Sequence, residues 1–147
     1  MKFRFDRAAA QNIRKSLRKE WLLSNGLGGY ASSSLVCCNT RGYHGLLVVN
    51  VPEANGRHVL LSTLEESLEA ESREFFFSCR KHPGRYWPHG HEYIQETEFS
   101  AWPRFIYRFG DVELSREFIL KPGTNLLLIR YTAKSVTGAP LPRLNLT

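Results

Sequence analysis

Apolar and polar positions alternate along most of this chain, and a helical spacing stands out only near its start. Residues 112–120 show the alternation most cleanly. Val112, Leu114, Phe118 and Leu120 share one side of a period of two, and Glu113, Ser115 and Glu117 the other. Such a strand buries one face and wets the other. Residues 92–100 and 104–109 are predicted as the strands before it. Gly110-Asp111 is a two-residue connection suited to a type II′ or I′ hairpin. After a Pro122-Gly123 turn, residues 124–132 carry Leu126, Leu127, Leu128 and Ile129 in a row, which predicts a central strand buried on both faces. Gly138, Pro140 and Pro142 break the pattern, and a further strand begins at Leu144. Alternation still running at Thr147 gives the expectation that the chain is part of a longer polypeptide.

Further upstream, residues 30–36 and 43–49 are predicted as strands joined by a polar turn at 39–42, so they form a hairpin. Gly26, Gly28 and Gly29 lead into it and imply positive φ or a close approach by another group. Residues 51–57 form a polar connection and 58–64 a third strand. Residues 67–78 are open between helix and strand: Glu65, Glu66, Glu69 and Glu71 suit the first, Phe75, Phe76 and Phe77 the second. Residues 81–90, with two prolines and two glycines, are predicted as loop. Near the start, Asp6 is an N-cap, and Ile13, Leu17 and Trp21 recur every four residues. A short helix with these three on one face is predicted there.

Composition narrows the class. The 147 residues are 42% hydrophobic and 12% aromatic, an ordinary globular mixture. A chain of this length buries roughly two-thirds of its unfolded surface. No apolar run reaches the roughly 18–20 residues of a bilayer span, and the start lacks the apolar stretch of a secretory signal. Cys37 and Cys38 are adjacent in a chain with three cysteines, a poor disulfide framework that reads as reduced thiols in a cytoplasmic protein. Of the net charge of +6, residues 1–20 supply +5, with seven basic groups against Asp6 and Glu20. The nearly neutral remainder gives no reason to expect a nucleic-acid or membrane partner.

The candidate chemistry lies on turns. Asn25, Arg41, Tyr43 and His44 bracket the glycine turn and the hairpin with groups that donate, accept, stack and carry charge. They are candidates for a functional edge, or for bracing the hairpin or a domain interface. Tyr86 and Trp87, with Trp102 further on, are aromatic side chains of the kind that cover the apolar face of a pyranose. Tyr86 and Trp87 can equally fold back over the core. His89 and His91 have a spacing that metals use, but no third ligand is evident, and no metal or other cofactor is expected. Gly26, Gly28 and Ala31 match a dinucleotide loop, yet no helix follows them. Cys37 or Cys38 beside His44 would be a nucleophile and base, but cysteine on a strand is more often a small buried hydrophobe.

The runs EWLLSNGLGGYA and CNTRGYHGLLV, followed by VLLSTLEE, resemble the N-terminal domain of the bacterial and archaeal type of glycogen debranching enzyme, the amylo-α-1,6-glucosidase family. The likeness continues through HPGRYWPHG and FSAWPRFIYRF to the end of the chain. Cys37, Cys38, Gly42, Ser100 and Ala101 depart from the family's usual residues. The resemblance implies a hairpin within 67–78, with its turn near Glu71 and Ser72. Together with the strand pattern it gives the expected fold: an all-β antiparallel sandwich, supersandwich-like, with a short N-terminal helix. Residues 1–20 would be a basic segment and 21–147 the sandwich, with a catalytic (α/α)-barrel downstream. The resemblance further implies a non-catalytic domain that packs on that barrel, its partner in the same polypeptide, and helps shape the α-glucan site. It is expected to be inactive alone, and no residue is nominated as catalytic. The alternatives are a stand-alone α-glucan-binding module using Tyr86, Trp87 and Trp102, or a purely structural domain.

Overall fold

In the computed structural model, which describes residues 2–70 and 72–147, the alternating segments become fourteen strands among the described residues. In chain order they are β1 (Phe3–Asp6), β2 (Glu20–Ser24), β3 (Tyr30–Ser34), β4 (Gly45–Val51), β5 (Gly56–Leu61), β6 (Ser67–Ala70) and β7 (Arg73–Phe76). They continue with β8 (Cys79–His82), β9 (Arg85–His89), β10 (Ile94–Phe99), β11 (Pro103–Phe109), β12 (Val112–Leu120), β13 (Leu127–Ser135) and β14 (Leu144–Leu146). Two short helices, α1 (Arg7–Gln11) and α2 (Ile13–Ser16), separate β1 from β2. The strands pair antiparallel as a five-stranded sheet β1-β10-β11-β12-β13, a four-stranded sheet β2-β3-β4-β5, a three-stranded sheet β14-β6-β7 and the hairpin β8-β9. The fold is an all-β sandwich with a short helical segment at its start. No helix among the described residues is long and apolar enough to cross a membrane.

The core lies between the five- and four-stranded sheets. Trp21 of β2 stacks on Phe118 of β12, with ring centres 5.6 Å apart, and donates its indole N–H to the Ser34 carbonyl at 3.0 Å. Phe105, Tyr107, Phe109 and Phe77 extend the aromatic layer. Into it projects Arg116, which occupies the apolar side of β12 between Leu114 and Phe118 and is almost fully buried. Its guanidinium pairs with Glu66 and donates to the Tyr107 hydroxyl at 2.6 Å, and the Tyr131 hydroxyl donates to the same Glu66 carboxylate. The rings of Phe77, Phe105, Tyr107 and Phe118 surround it within 5.7 Å.

Several expectations are corrected. Residues 124–132 do not form a central strand buried on both faces: β13 pairs only with β12 and is a sheet edge, with Leu126 and Leu128 44% and 49% exposed. The period of two sends Leu127 and Ile129 inward and Leu126 and Leu128 outward. Nor is 81–90 a loop. Its Pro83-Gly84 pair turns β8 into β9, and Pro88 is tolerated because β9 pairs on one side only. The helix is broken at Asn12, whose side chain caps α2, while Asp6 caps α1 by accepting from the Ala9 N–H at 2.9 Å. Ile13 and Leu17 pack on the core, but Trp21 does so from a strand. Residues 3–6, unforeseen as a strand, pair with β10. β3 stops at Ser34, so Cys37 sits in a turn at φ +55° rather than on a strand. The turn expected near Glu71 and Ser72 joins β6 to β7; Ser72 has φ +61°, and Glu71 lies outside the described residues.

Removing one partner of a buried ion pair leaves a charge without compensation, whereas removing both does not. Glu66→Ala is therefore expected to cost about 3–5 kcal/mol, read as a lowered urea midpoint. The double variant Glu66→Leu with Arg116→Met is expected to recover most of that loss.

Candidate functional site

Because Trp21 and Leu23 of β2 face the core, Glu20, Leu22 and Ser24 face outward. Cross-strand register places Ser34, Ser32 and Tyr30 of β3 opposite them. The 39–44 connection folds back over this outer face. Asn39 accepts from the Ser33 hydroxyl at 2.7 Å and donates to the Ser62 carbonyl at 2.8 Å, while the Tyr30 hydroxyl holds the Tyr43 carbonyl at 2.7 Å.

This fold-back brings three of the expected residues together around Glu20. Arg41 donates through Nε to Glu20 Oε1 at 3.0 Å, the Tyr43 hydroxyl donates to Oε2 at 2.7 Å, and His44 Nε2 lies 3.6 Å from Oε1. His44 accepts the Thr40 N–H on Nδ1 at 3.1 Å, so its own proton resides on Nε2, facing the carboxylate. Its side chain is wholly enclosed; burial lowers the imidazole pKa against the pull of Glu20. The hydrogen bond from Tyr43, followed by that from Arg41, holds the Glu20 carboxyl below its ordinary value, and the Tyr43 phenol is raised in return.

Asn25 has another place. Almost completely buried, it donates through Nδ2 to the Thr124 carbonyl at 3.0 Å and to Asn125 Oδ1 at 2.9 Å, and accepts the N–H groups of Leu27 and Gly29 on Oδ1. Its side chain thus ties the 25–29 loop to the turn between β12 and β13. Gly28 adopts φ +83°, and a Cβ on Gly29 would lie 2.7 Å from Asn25 Nδ2 and 2.8 Å from the Val48 carbonyl oxygen. Both features foreseen for these glycines occur, positive φ at Gly26 and Gly28 and the closest approach at Gly29.

Above this loop a cleft of about 340 Å³ is lined by Leu22, Ser24, Gly28, Tyr30, Tyr43 and Arg57. Tyr43 is half exposed and Leu22 66% exposed. Arg57 donates to the Gly28 carbonyl at 2.9 Å and lies over the Tyr30 ring. A second groove, of about 460 Å³, shares Leu22 with the cleft, includes Glu20 in its wall and continues over Phe3, Phe5, Phe99 and Trp102. Trp102 therefore lines a groove beside the Glu20 cluster. Tyr86 and Trp87 stand on β9 instead, Tyr86 turned to the core and Trp87 53% exposed with its ring edge-on to His89. Glu20, Tyr30 and Arg57 were not among the expected site residues. For Glu20 the signal was the period of two in residues 20–24, which sets it with Leu22 and Ser24 on one face; Tyr30 and Arg57 had no local signal and are placed by strand pairing.

Exposed rings beside a fixed guanidinium and a hydroxyl suit a neutral, polyhydroxylated ligand. The general acid of glycoside hydrolysis is a carboxyl with a raised pKa; Glu20 is shifted the other way. Desolvation pushes the Cys37 thiol up to about 12, opposite to what a nucleophile requires. Among the described residues no group of three or more His, Cys, Asp or Glu side chains is arranged to hold a metal, although the His89 and His91 rings lie 6.1 Å apart.

Fold and surface define a β-sandwich domain whose cleft presents rings and a guanidinium rather than a pair of carboxylates. The chain belongs to the family of the N-terminal domain of glycogen debranching enzyme: the family model, described as "Glycogen debranching enzyme N terminal", matches residues 19–147. No curated protein and no solved structure matches the chain.

Because folding favours the charged form of Glu20, the stabilisation from its cluster is complete above its unfolded pKa and is lost as the pH falls through the depressed folded value. The difference in melting temperature between the wild type and Glu20→Gln is expected to be largest near neutrality and to shrink below about pH 4. Thermal melts across an acid pH series measure it.

Proposed function

We propose that this chain is the non-catalytic N-terminal domain of a glycogen debranching enzyme of the amylo-α-1,6-glucosidase kind. It packs on the (α/α)-barrel catalytic domain of the same polypeptide and helps shape the groove that receives the α-glucan. The observation that carries the reading is the outer face of β2 and β3. There Glu20 fixes Arg41 and Tyr43 beside a cleft with exposed rings, within the region matched by the family. A fixed carboxylate with two donors already oriented is a preorganised edge, able to meet sugar hydroxyls without the cost of ordering long side chains. Catalysis would come from carboxylates of the barrel. Three free cysteines fit a cytoplasmic setting.

The first test is the mass of the native polypeptide that carries this sequence. An immunoblot band far above 16.9 kDa is expected, and a band at that mass overturns the proposal. In that native enzyme, Tyr43→Ala and Arg41→Ala are expected to lower glucose release from α-1,6-branched glucan by about tenfold, the effect of roughly 1.4 kcal/mol. Trp87→Ala is expected to leave it within twofold. The reverse pattern, with glucan affinity lost on replacing Trp87 and activity insensitive to Tyr43, favours a binding module centred on β9.

A further inference from the structure

A separate cavity, of about 690 Å³, lies where α1 meets the turn at Gly90–Tyr93 and the end of β11. Its walls carry Arg7 and Gln11 from α1, His91, Glu92 and Tyr93 from the turn, Gln95 of β10 and Arg108 of β11. Among the described residues, six of the other twelve arginines are engaged in ion pairs. Arg4, Arg41, Arg80, Arg104, Arg116 and Arg130 each pair with a carboxylate, whereas neither Arg7 nor Arg108 has such a partner among the described residues. Arg108 is braced by its own Nε, which donates to the Gly110 carbonyl at 2.9 Å and leaves the terminal nitrogens uncommitted. The single carboxylate of the cavity, Glu92, is 60% exposed and lies 3.6 Å from His89 Nδ1.

The polar lining also has acceptors. Gln11 donates to the Glu92 carbonyl at 3.2 Å and Gln95 to the Tyr93 carbonyl at 3.1 Å, which orients both amides and leaves their oxygens for a ligand's hydroxyls. His91 is buried, with Nδ1 3.6 Å from Cys79 Sγ, so the back wall is fixed by the core. Two guanidiniums match a phosphomonoester, which carries about −1.5 to −2 charges near neutrality and offers oxygens in the geometry that arginine forks recognise. The volume falls in the range of small-molecule sites, roughly 300–1,000 Å³, and exceeds what a bare ion fills.

We propose that this cavity binds a small phosphomonoester, its phosphate held by Arg7 and Arg108 and its hydroxylated body lying against Gln11, Gln95 and the Tyr93 ring. The ligand would join α1 to the five-stranded sheet, so occupancy would stabilise the fold by mass action.

Calorimetric titration and thermal shift of the full chain with glucose 6-phosphate, glycerol 3-phosphate, inorganic phosphate and glucose test this. Both esters are expected to bind and to raise the melting temperature, inorganic phosphate to bind more weakly, and glucose to have no effect. Arg7→Gln and Arg108→Gln are each expected to weaken ester binding about tenfold or more, as for loss of a charge-assisted hydrogen bond. Arg108→Lys should fall between Arg108→Gln and the wild type. Ester binding that survives both glutamine variants, glucose binding as tight as its phosphate, or inorganic phosphate binding as tight as either ester overturns the proposal. Should Arg108→Gln fail to fold, Arg7→Gln, on the exposed start of α1, decides the matter alone.

Discussion

A charge sits in the middle of this core, and the geometry around it follows from the need to satisfy it. Arg116 must reach Glu66 in the connection before β6, and Glu66 must in turn meet Tyr131 on β13, while Tyr107 on β11 completes the set. An apolar core tolerates small slides between its layers; a buried ion pair with directional partners does not. If β12 slipped by one residue, Arg116 would turn to the outside and Glu117 would enter the aromatic layer unpaired. The same register sets Phe118 under Trp21. With Trp21 held inward, Glu20 and Leu22 have only the outer face left to them. The surface cluster is thus placed, through one strand's alternation, by an ion pair buried on the other side of it.

The sequence made the strands legible wherever apolar alternation met a turn signal. Residues 112–120 coincide with β12, and the Gly110-Asp111 turn and the hairpin of β3 and β4 fall where Gly and Asn announce them. Arg116 escaped notice because its charge masks its place in the pattern: it sits on the apolar side of a period of two, and only its partners explain how. β13 was misread because four apolar residues in a row look the same in a central strand and in an edge strand. Neighbouring strands decide between these, and β13 has one. β9 was missed because Pro88 and Gly84 read locally as breakers, although an outer hairpin tolerates both.

For the site, what lay close in sequence was legible. Arg41, Tyr43 and His44 fall within four residues and converge on one carboxylate. That carboxylate, Glu20, is over twenty positions upstream and is delivered by strand register, as is Arg57, which reaches the Gly28 carbonyl from β5. Such pairings need a topology before they can be read. Asn25 shows the converse: its polarity drew attention on the surface, yet its amide is committed on both sides within the fold.

The closeness of Gly29 to that amide binds two positions into one unit of inheritance. Asn25 spends both ends of its side chain in closing the loop and fastening it to the opposite turn, and it fits only because nothing projects from Gly29. Giving up the amide at 25 would lose the tether to residues 124 and 125 and still not admit a side chain at 29, because the Val48 carbonyl of β4 stands against the same position. Drift along this loop is therefore confined to Leu27, since Gly26 and Gly28 hold positive φ and Gly29 has backbone against it.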